Sequence, residues 1–365
     1  MFDRIEKPTL LVDRSKTEEN IRRMAEKARE MGLRFRPHFK THQSKVIGEW
    51  FSKYGVDCIT VSSVEMAEYF AGAGWTDILI AFPINLRQIE PIEKLARKVR
   101  LGLLVESEIS AKFVAEKLKS KADIWIEIDT GAHRSGVSWD DYEMLYKIAA
   151  PILAAPRLHL TGLLTHAGHT YNAGGREEIC QVFKRSVTTI NQSRAAIGNR
   201  LGTHLDVSVG DTPGCALCNI FSPVDEIRPG NFVFFDAEQF SWGVCLAEKI
   251  AVSLACPVVA VHPERNEIII YGGAIHLSKD FFEEKGIRKY GLVSLQEGSG
   301  WSVPLAETYV ASLSQEHGVI RTTPGLCKVV KPGDLIFILP AHSCLTVQAM
   351  RKYLTLDGEE FEILT

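Results

Sequence analysis

The sequence predicts an α/β protein in which a (β/α)8 TIM-type barrel is joined to a mostly antiparallel C-terminal β domain. Short apolar runs alternate with helical patterns over the first part of the chain, which is typical of parallel strands joined by right-handed crossovers. The number of these runs between residues 33 and 235 matches the roughly eight strands that a closed barrel requires. After Ala237, short β-rich runs follow one another with turn residues between them, which is typical of antiparallel sheets.

The chain begins with a short apolar strand at residues 9–12, followed by a helix at residues 15–31. In this helix apolar residues recur at helical spacing, Ser15 is a suitable N-cap and Gly32 a suitable C-terminal stop. The predicted barrel strands are residues 33–39, 58–61, 77–82, 101–105, 122–128, 158–164, 205–209 and 232–235. Helical patterns at residues 64–73, 86–99, 110–118, 142–149 and 176–195 lie between most of them.

An open doubly wound sheet is the competing architecture. It is less favoured because the strand count is complete and no Gly-x-Gly-x-x-Gly motif follows an early strand. In the C-terminal domain the predicted strands are residues 249–254, 258–262, 267–271, 328–330 and 335–339. We therefore expect a barrel over residues 14–240, and a β domain formed by residues 1–13 and 241–365, in which strand 9–12 can take part.

Composition and charge exclude several classes of protein. Hydrophobic residues make up 45% of the 365 residues, which rules out a disordered chain. The formal net charge of −3 gives no reason to expect a nucleic acid or an anionic membrane as partner. No apolar run approaches the length of about 20 residues that a membrane span needs, and the start lacks a signal-peptide pattern. We therefore expect a cytoplasmic protein whose eight cysteines remain thiols.

A lysine at the end of the first barrel strand is the leading candidate for catalysis. Lys40 lies in the run Arg36-Pro37-His38-Phe39-Lys40-Thr41-His42, and active groups of parallel barrels come from this end of the strands. If apolar and cationic neighbours take water from its ammonium group, the amine can lose its proton and form a Schiff base with a carbonyl. The alternative is an ordinary solvated loop lysine.

Three further strand ends carry polar groups. His166, His169 and Tyr171 follow the sixth strand and form either a ligand-binding cluster or a loop with ordinary hydrogen bonds. Arg134 follows the fifth strand and could contact a cofactor or form a structural pair with an aspartate.

The turn after the seventh strand has the composition of a phosphate-binding loop. Ser208, Gly210 and Thr212 combine hydroxyl donors with a backbone that an anion can approach closely. A helix start at residues 215–220 would direct its dipole towards such an anion. Asp211 is an unfavourable neighbour for a phosphate unless its side chain points away.

A histidine and a cysteine two residues apart suggest a metal site in the β domain. On an extended segment His342 and Cys344 would project to the same face, and imidazole with thiolate is a zinc ligand set. The alternative is a buried cysteine beside an unrelated histidine. Residues 314–317, with Glu316 and His317, could supply a further ligand or supporting partner. Cys215 and Cys218 have redox or metal spacing but are better interpreted as core thiols.

Taken together and in this order, these segments resemble a known family. The chain is similar to the fold-type III pyridoxal-phosphate (PLP) enzymes of the D-threonine aldolase and D-serine dehydratase group, which are alanine racemase-like. The resemblance runs from Lys7 to the His342/Cys344 pair, and its most specific part is residues 36–42. Residues 129–136, 168–171 and 316–318 also match. Asp211, Gly214 and Gln43 depart from the usual pattern.

The resemblance implies a role for each candidate residue. Lys40 would carry the Schiff base with PLP, and Arg134 and Tyr171 would lie near the cofactor ring. Ser208, Gly210 and Thr212 would bind the phosphate, and His342 and Cys344 would bind a divalent metal. It also implies a small D-amino acid as substrate, and a homodimer.

The metal pair helps to choose among the activities of this family. The aldolase branch typically has aspartate in place of Cys344, and thiolate selects zinc where carboxylate tolerates Mn²⁺ or Mg²⁺. The resemblance therefore favours a zinc-dependent, D-serine dehydratase-like ammonia-lyase that yields a keto acid and ammonia. The alternatives are retro-aldol cleavage to glycine and an aldehyde, an amino-acid racemase, and a non-catalytic pyridoxal carrier.

Overall fold

The structure is a computed structural model that describes residues 2–219 and 223–364. The chain divides into two compact units, of which one comprises Met1–Arg22 with Asn231–Thr365 and the other Arg23–Gly230. We call them the β domain and the barrel. The sequence predicts the corresponding boundaries at residues 13/14 and 240/241.

The strands are numbered in chain order. They are β1 (Thr9–Val12), β2 (Arg34–Phe35), β3 (Ile59–Val61), β4 (Asp77–Pro83), β5 (Arg100–Val105), β6 (Ala122–Asp129), β7 (Val137–Ser138), β8 (Leu158–His166), β9 (Asp206–Gly210), β10 (Glu226–Ile227), β11 (Val252–His262), β12 (Glu267–Tyr271), β13 (Phe282–Glu284), β14 (Ile287–Lys289), β15 (Gly291–Ser294), β16 (Gln296–Glu297), β17 (Gly300–Trp301), β18 (Tyr309–Leu313), β19 (His317–Arg321), β20 (Leu335–Pro340), β21 (Lys352–Thr355) and β22 (Glu360–Glu362).

The α-helices are α1 (Arg14–Glu30), α2 (Lys45–Ser52), α3 (Val64–Gly72), α4 (Ile89–Ala96), α5 (Glu108–Lys117), α6 (Tyr142–Leu153), α7 (Arg176–Leu201), α8 (Thr212–Leu217), α9 (Ala237–Ser241), α10 (Ala274–Leu277), α11 (Pro324–Val329) and α12 (Ser343–Met350). Short 3₁₀ helices lie at Phe2–Arg4, Leu86–Gln88, Gly168–Asn172, Asn231–Val233 and Ala247–Lys249.

Eight parallel strands form the barrel. Their order is β2-β10-β9-β8-β6-β5-β4-β3, and β7 pairs with β6. A parallel bridge between His38 and Thr60 joins the segment after β2 to β3. Neighbours around the ring are thus neighbours along the chain, as right-handed crossovers require. The predicted TIM-type barrel is confirmed.

Helix starts in the barrel are fixed by short polar side chains. Ser63 accepts a hydrogen bond from the backbone N–H of Met66, and Ser107 forms a reciprocal capping box with Ser110. Such caps satisfy N–H groups that have no partner within the helix. The first helix begins one residue earlier than predicted, because Asp13 rather than Ser15 caps it by accepting a hydrogen bond from the N–H of Lys16 at 3.0 Å.

The last barrel strand is not where the sequence predicts it. Residues 232–235 fall mainly in a 3₁₀ turn, in which the N–H groups of Phe234 and Phe235 both donate to Asn231 O at 3.0 and 2.8 Å. The strand is instead the two-residue β10, which pairs with β2 and β9. The prediction was wrong because the run 232–235 is apolar and buried, whereas β10 contains the charged Glu226.

The β domain has a nine-stranded sheet with the order β12-β19-β18-β15-β20-β11-β1-β21-β22. Strand β1 pairs antiparallel with β11, with Thr9 opposite Ala255, so the predicted addition of strand 9–12 to this domain is confirmed. The predicted strand at residues 328–330 is wrong. Thr323 caps a helix there and Pro324 occupies its first turn, so the segment forms α11.

Among the helices of residues 2–219 and 223–364, none combines the length and hydrophobicity that crossing a membrane would need.

The close approach of β8 and β9 yields a first prediction. A Cβ added at Gly162 would lie 2.1 Å from the backbone oxygen of Asp206, whereas one added at Gly72, at the end of α3, would meet nothing within 4 Å. We expect Gly162→Ala to lower the free energy of unfolding by about 1–3 kcal/mol through strand displacement. The control Gly72→Ala should be neutral or stabilising by about 0.5 kcal/mol. Thermal unfolding of both variants measures the difference, and equal midpoints would contradict the close packing.

Candidate active site

Lys40 lies in a tight turn directly after the His38–Thr60 bridge. The preceding residue, Phe39, is fully buried and contacts the rings of His42, Phe51, Phe70 and Trp75 at centroid distances of 4.4–5.1 Å. The turn is therefore anchored, and Lys40 is placed at the carboxyl end of the barrel strands. Its side chain is exposed, so the expectation that the amine is held away from water is wrong for this chain on its own. The neighbouring Phe39 is the buried side chain of this turn.

Two histidines beside Lys40 are neutral. Burial, followed by the charges of Lys40 and Arg228, lowers the pKa of His38 well below its usual range. Burial, Arg134 and Lys40 lower the pKa of His166 to about 3. The acceptor role of His38 agrees with a neutral ring, because its Nδ1 accepts from the Lys40 N–H at 3.3 Å. His166 Nδ1 donates to Gly210 O at 2.7 Å, which raises its pKa but does not outweigh burial and the nearby cations. The positive charge at the mouth therefore comes from lysine and arginine.

A buried polar chain connects β2, β10 and β9. Arg36 Nε donates to Glu226 Oε2 at 2.7 Å, and Ser208 Oγ donates to Glu226 Oε1 at 2.7 Å. Arg228 Nε in turn donates to Ser208 Oγ at 2.7 Å, and its Nη2 donates to Thr165 O at 2.7 Å. The hydroxyl of Ser208 is thus used to hold Arg228. Sequence reasoning named Ser208 as a phosphate ligand and missed Arg228 and Glu226.

Burial lowers the pKa of Arg228 to about 10, and the nearby Glu226 acts in the opposite direction. Arg228 follows the two-residue strand β10. With the last strand predicted at residues 232–235, Arg228 lies in a predicted loop, and its local sequence does not mark it as a site residue. The only available indication was a basic residue immediately before Pro229-Gly230, which is weak.

The loop after β9 brings other predicted residues together. The N–H of Thr212 donates to Tyr171 Oη at 3.2 Å, and the ring centroids of Tyr171 and His166 are 6.1 Å apart. A Cβ at Gly210 would meet Arg228 atoms at 3.1–3.3 Å, so glycine allows that close approach. The helix here is Thr212–Leu217 instead of the expected start at 215–220, and Ile220 lies outside the described residues.

A cavity of about 260 Å³ lies beside this loop and is lined by Ala132, Arg134, His166, Gly168, His169, Tyr171 and Asn172. Arg134 is exposed, with its guanidinium 3.9 Å from Glu127 Oε1. The residue that Arg134 approaches is therefore a glutamate, at a longer distance than a hydrogen bond, and not the aspartate of the alternative prediction. Burial raises the pKa of Glu127, which weakens its ability to neutralise the arginine.

These groups fit an anionic aldehyde such as PLP. Lys40, Arg134 and Arg228 supply positive charge, and Lys40 supplies an amine that can condense with an aldehyde. Tyr171 and the backbone of Gly210 and Thr212 add polar contacts without a large side chain in the loop. Together these groups form a positively charged entrance to the barrel, with room for an aromatic ring and a phosphate group.

Two cysteines near this loop form a disulfide. Cys180 of α7 and Cys218, directly after α8, are joined with their Cα atoms 5.6 Å apart. The expectation that all eight cysteines are thiols, and that Cys218 is a core thiol, is wrong for this pair. Packing of α7 against α8 places the two residues together, although 38 positions separate them along the chain. Cys215 remains a buried thiol, whose pKa burial raises.

In the β domain, His342 and Cys344 lie at the start of α12 rather than on an extended strand. His342 is the N-cap residue and Cys344 lies in the first turn, so the predicted alternation does not apply. The two side chains nevertheless hydrogen bond with each other. Asp236 Oδ2 and Glu238 Oε2 lie 3.4 and 3.7 Å from His342 Nδ1. These carboxylates were missed because they are more than a hundred positions away in the sequence.

The charges of this cluster favour a cation. Burial alone would lower the pKa of His342, but Cys344, Asp236 and Glu238 raise it well above its usual range. The nitrogen of His342 and the sulfur of Cys344 form a donor pair that suits Zn²⁺, and the carboxylates of Asp236 and Glu238 lie beside the imidazole. The suggested partner Glu316 instead approaches His276, at 4.0 Å, and His317 pairs with Tyr271 in the sheet.

Comparison with known proteins finds two family models, one for each part of the chain. Residues 12–238 match the family model described as "Alanine racemase, N-terminal domain", and residues 251–356 match the "Putative serine dehydratase domain". The chain is 30% identical to a D-threo-3-hydroxyaspartate dehydratase of Delftia sp. (strain HT23), over 97% of this chain and 95% of that protein. It is 26% identical to a D-serine dehydratase of Dictyostelium discoideum, over 96% and 93%.

An aldolase also resembles this chain. A 3-hydroxy-D-aspartate aldolase of Paracoccus denitrificans is 30% identical, over 93% of this chain and 85% of that protein. Among solved structures, the Delftia dehydratase has a TM-score of 0.90 and 29% identity, with 99% of this chain and 98% of that chain covered. A variant of that dehydratase with cysteine replaced by alanine is described as metal-free.

The disulfide yields the second prediction. Thiol titration of the denatured chain without reductant should find six thiols, and eight after reduction. Because the bond closes a loop of 38 positions, Cys218→Ser should lower the free energy of unfolding of the oxidised protein by up to about 4 kcal/mol. Cys327→Ser, at a free cysteine, is the matched control. Eight thiols without reductant would contradict the bond.

Proposed function

We propose a specific reaction for this chain, which belongs to the alanine racemase-like family of PLP-dependent lyases. It is a PLP- and zinc-dependent ammonia-lyase that converts a D-β-hydroxy amino acid to a keto acid and ammonia, as a D-serine dehydratase does. The observation that carries the choice of dehydratase is the cluster of His342, Cys344, Asp236 and Glu238, because its thiol suits zinc better than the carboxylate typical of the aldolase branch.

The barrel residues would hold PLP by charge and by covalent attachment. Lys40 would join the aldehyde, and Arg134 and Tyr171 would contact the ring. Gly210 and Thr212 would receive the phosphate, with Ser208 holding Arg228 behind them as a fixed positive charge. The support is the cationic mouth and the cavity beside it.

When bound, PLP withdraws electrons from the Cα atom of an attached amino acid, and a divalent metal weakens the bond to a coordinated hydroxyl group. The chain must then move protons and hold charge. Lys40 would take the Cα proton, since it is an exposed amine at the barrel mouth. His38 and His166 stay neutral beside it and add no competing charge. The anchored Phe39 keeps the turn of Lys40 in place.

The complete reaction releases ammonia and changes no oxidation state overall. Loss of the β-hydroxyl and the Cα proton amounts to loss of water, and the hydrolysis that follows returns a water molecule. D-Serine would thus give pyruvate and ammonia, and D-3-hydroxyaspartate would give oxaloacetate and ammonia. A homodimeric assembly and a cytoplasmic location are further parts of the proposal. The family resemblance supports the first and the composition supports the second, whereas the Cys180–Cys218 disulfide is more usual in an oxidising compartment.

Product analysis tests the reaction, and it is the third prediction. With D-serine and with D-3-hydroxyaspartate, PLP and zinc, we expect at least about tenfold more keto acid than glycine, which corresponds to about 1.4 kcal/mol between the two barriers. Lys40→Ala should abolish the reaction and the absorbance of the bound cofactor. Glycine with an aldehyde as the main product would establish the aldolase, and appearance of the L-enantiomer would establish the racemase.

The metal cluster yields the fourth prediction. Cys344→Ala should lose bound zinc, measured by elemental analysis, and at least about 100-fold in turnover, because it removes a ligand directly. The absorbance of bound PLP should stay, since the substitution leaves the barrel intact. Cys256→Ala, at a buried free cysteine of β11 in the same domain, is the matched control. Unchanged zinc content in the Cys344 variant would remove the metal assignment.

A further inference from the structure

A loop between two strands of the barrel forms one wall of the cavity of about 260 Å³. Ala132 and Arg134 of this loop line the cavity, and the loop connects β6 to β7. It returns to the strand that it left, because β7 pairs with the end of β6, with Ser138 opposite Asp129. The N–H of Trp139 also donates to Asp129 O at 3.3 Å. Both ends of the loop are therefore fixed at Asp129.

The side chain of Asp129 holds the interior of the loop. Its Oδ1 accepts from the N–H groups of Gly131 and His133 at 2.9 and 3.0 Å. Its Oδ2 lies 2.8 Å from His133 Nδ1, which donates because an ionised carboxylate only accepts. These contacts bind the backbone on both sides of Ala132 and at the residue before Arg134. One carboxylate thus shapes the part of the loop that lines the cavity.

His133 has a backbone conformation that needs this support. Its φ is 53°, in the left-handed region that residues other than glycine rarely adopt. The loop has glycine at its other positions of positive φ, which are Gly131 with 119° and Gly136 with 99°. Because His133 directly precedes Arg134, its turn decides where the arginine side chain begins. The hydrogen bonds to Asp129 offset the cost of that turn.

The residues after Arg134 are held in the same way. Ser135 Oγ donates to Glu127 Oε1 at 2.9 Å, and the Gly136 N–H donates to Glu106 Oε2 at 2.6 Å. Arg134 itself approaches Glu127 Oε1 only to 3.9 Å, and 60% of its side chain is exposed. Carboxylates therefore bind the neighbours of Arg134 more closely than they bind Arg134. The loop places its guanidinium, and the charge stays available to an anion.

We propose that Asp129 is a positioning residue for the cofactor, because it holds the loop in the shape from which Arg134 reaches the PLP ring. This inference rests on the proposed function, which places that ring at Arg134 and Tyr171. Without the carboxylate the loop loses three hydrogen bonds and populates other conformations. PLP then binds well only to the fraction of molecules in which Arg134 is in place, so its apparent affinity falls with that fraction.

A purely structural role for Asp129 has different consequences. An aspartate that only stabilised the fold would affect the midpoint of thermal unfolding, and any effect on PLP binding would be independent of Arg134. If Asp129 acts through Arg134, its removal has little further effect once the guanidinium is gone. A double-mutant cycle measures such coupling between two positions.

The fifth prediction concerns the dissociation constant of PLP, measured from the absorbance of the bound cofactor. Asp129→Ala should raise this constant by about tenfold, but by less than about twofold when Arg134 is already alanine. Asp129→Asn should stay within about threefold of the wild type, because its Oδ1 still accepts from both backbone N–H groups. Asp123→Ala is the matched control, since Asp123 lies at the other end of β6, is similarly buried and binds Arg100. Its constant should equal that of the wild type.

The outcomes separate this inference from the proposed function. If the wild type does not bind PLP, both fail. If the wild type binds PLP, the positioning role is refuted by any of three results while the cofactor assignment stands. Asp129→Ala or Arg134→Ala may match the wild type in affinity, Asp129→Asn may be as weak as Asp129→Ala, or the effects of the two alanine substitutions may multiply in the double variant.

Should Asp129→Ala fail to fold, two substitutions at His133 decide. Both remove the imidazole and keep the backbone N–H, but glycine adopts the left-handed conformation readily and valine does not. His133→Val should therefore bind PLP about tenfold more weakly than His133→Gly. Equal dissociation constants for these two variants would overturn the proposal.

Discussion

The barrel depends on how its shortest strand is held. Strand β10 is only two residues long, yet it joins β9 to β2 and so links the end of the barrel sheet to its beginning. Glu226 supplies more than backbone pairing, because its carboxylate receives Arg36 from one neighbour and Ser208 from the other. Removing one partner of a buried ion pair typically costs about 3–5 kcal/mol. Ring closure and the position of Arg228 therefore depend on the same carboxylate.

The electrostatics of the barrel mouth follow from that constraint. Arg228 is fixed by Ser208 and Thr165, and its charge reaches both His38 and His166. Because these half-buried imidazoles also lose solvation in the folded chain, their pKa falls and they stay neutral instead of adding further positive charge. The repulsion among Lys40, Arg134 and Arg228 is then not increased by charged histidines, and a bound anion would reduce it further.

Local pattern was sufficient to predict the class of fold. Alternating apolar runs and helical periodicity identified the barrel strands, and the turn-rich C-terminal part identified the antiparallel domain. With the resemblance, the family and the enzyme class were also predicted and are confirmed. The exceptions have a common cause, because apolar content does not distinguish a buried turn from a strand. Residues 232–235 are apolar but fall mainly in a 3₁₀ turn, whereas the strand β10 carries the charged Glu226.

The candidate site was less predictable, because its geometry depends on contacts between distant segments. Lys40 and Tyr171 could be named since each lies a few residues after a barrel strand. Arg228, Asp236 and Glu238 could not, because their importance comes from partners that only the folded chain supplies. Ser208 shows the opposite error. Its position at a strand end suggested a ligand, but its hydroxyl is used by two charged neighbours within the protein.

In the cluster around His342, Asp236 has a different role from His342 and Cys344. Asp236 is held firmly, because its carboxylate accepts from the N–H groups of Gln239 and Ser343 at 2.9 and 3.1 Å and from Asn231 Nδ2 at 2.7 Å. Gln239 donates to Oδ1, and Ser343 and Asn231 donate to Oδ2, so both oxygens of Asp236 are held in place. A carboxylate fixed in this way is well suited to orient the Nδ1 side of His342, which lies 3.4 Å from Oδ2. The opposite ring nitrogen is then directed away from Asp236. The proposed metal site therefore consists of His342 and Cys344, with Asp236 as the residue that orients the imidazole at the start of α12.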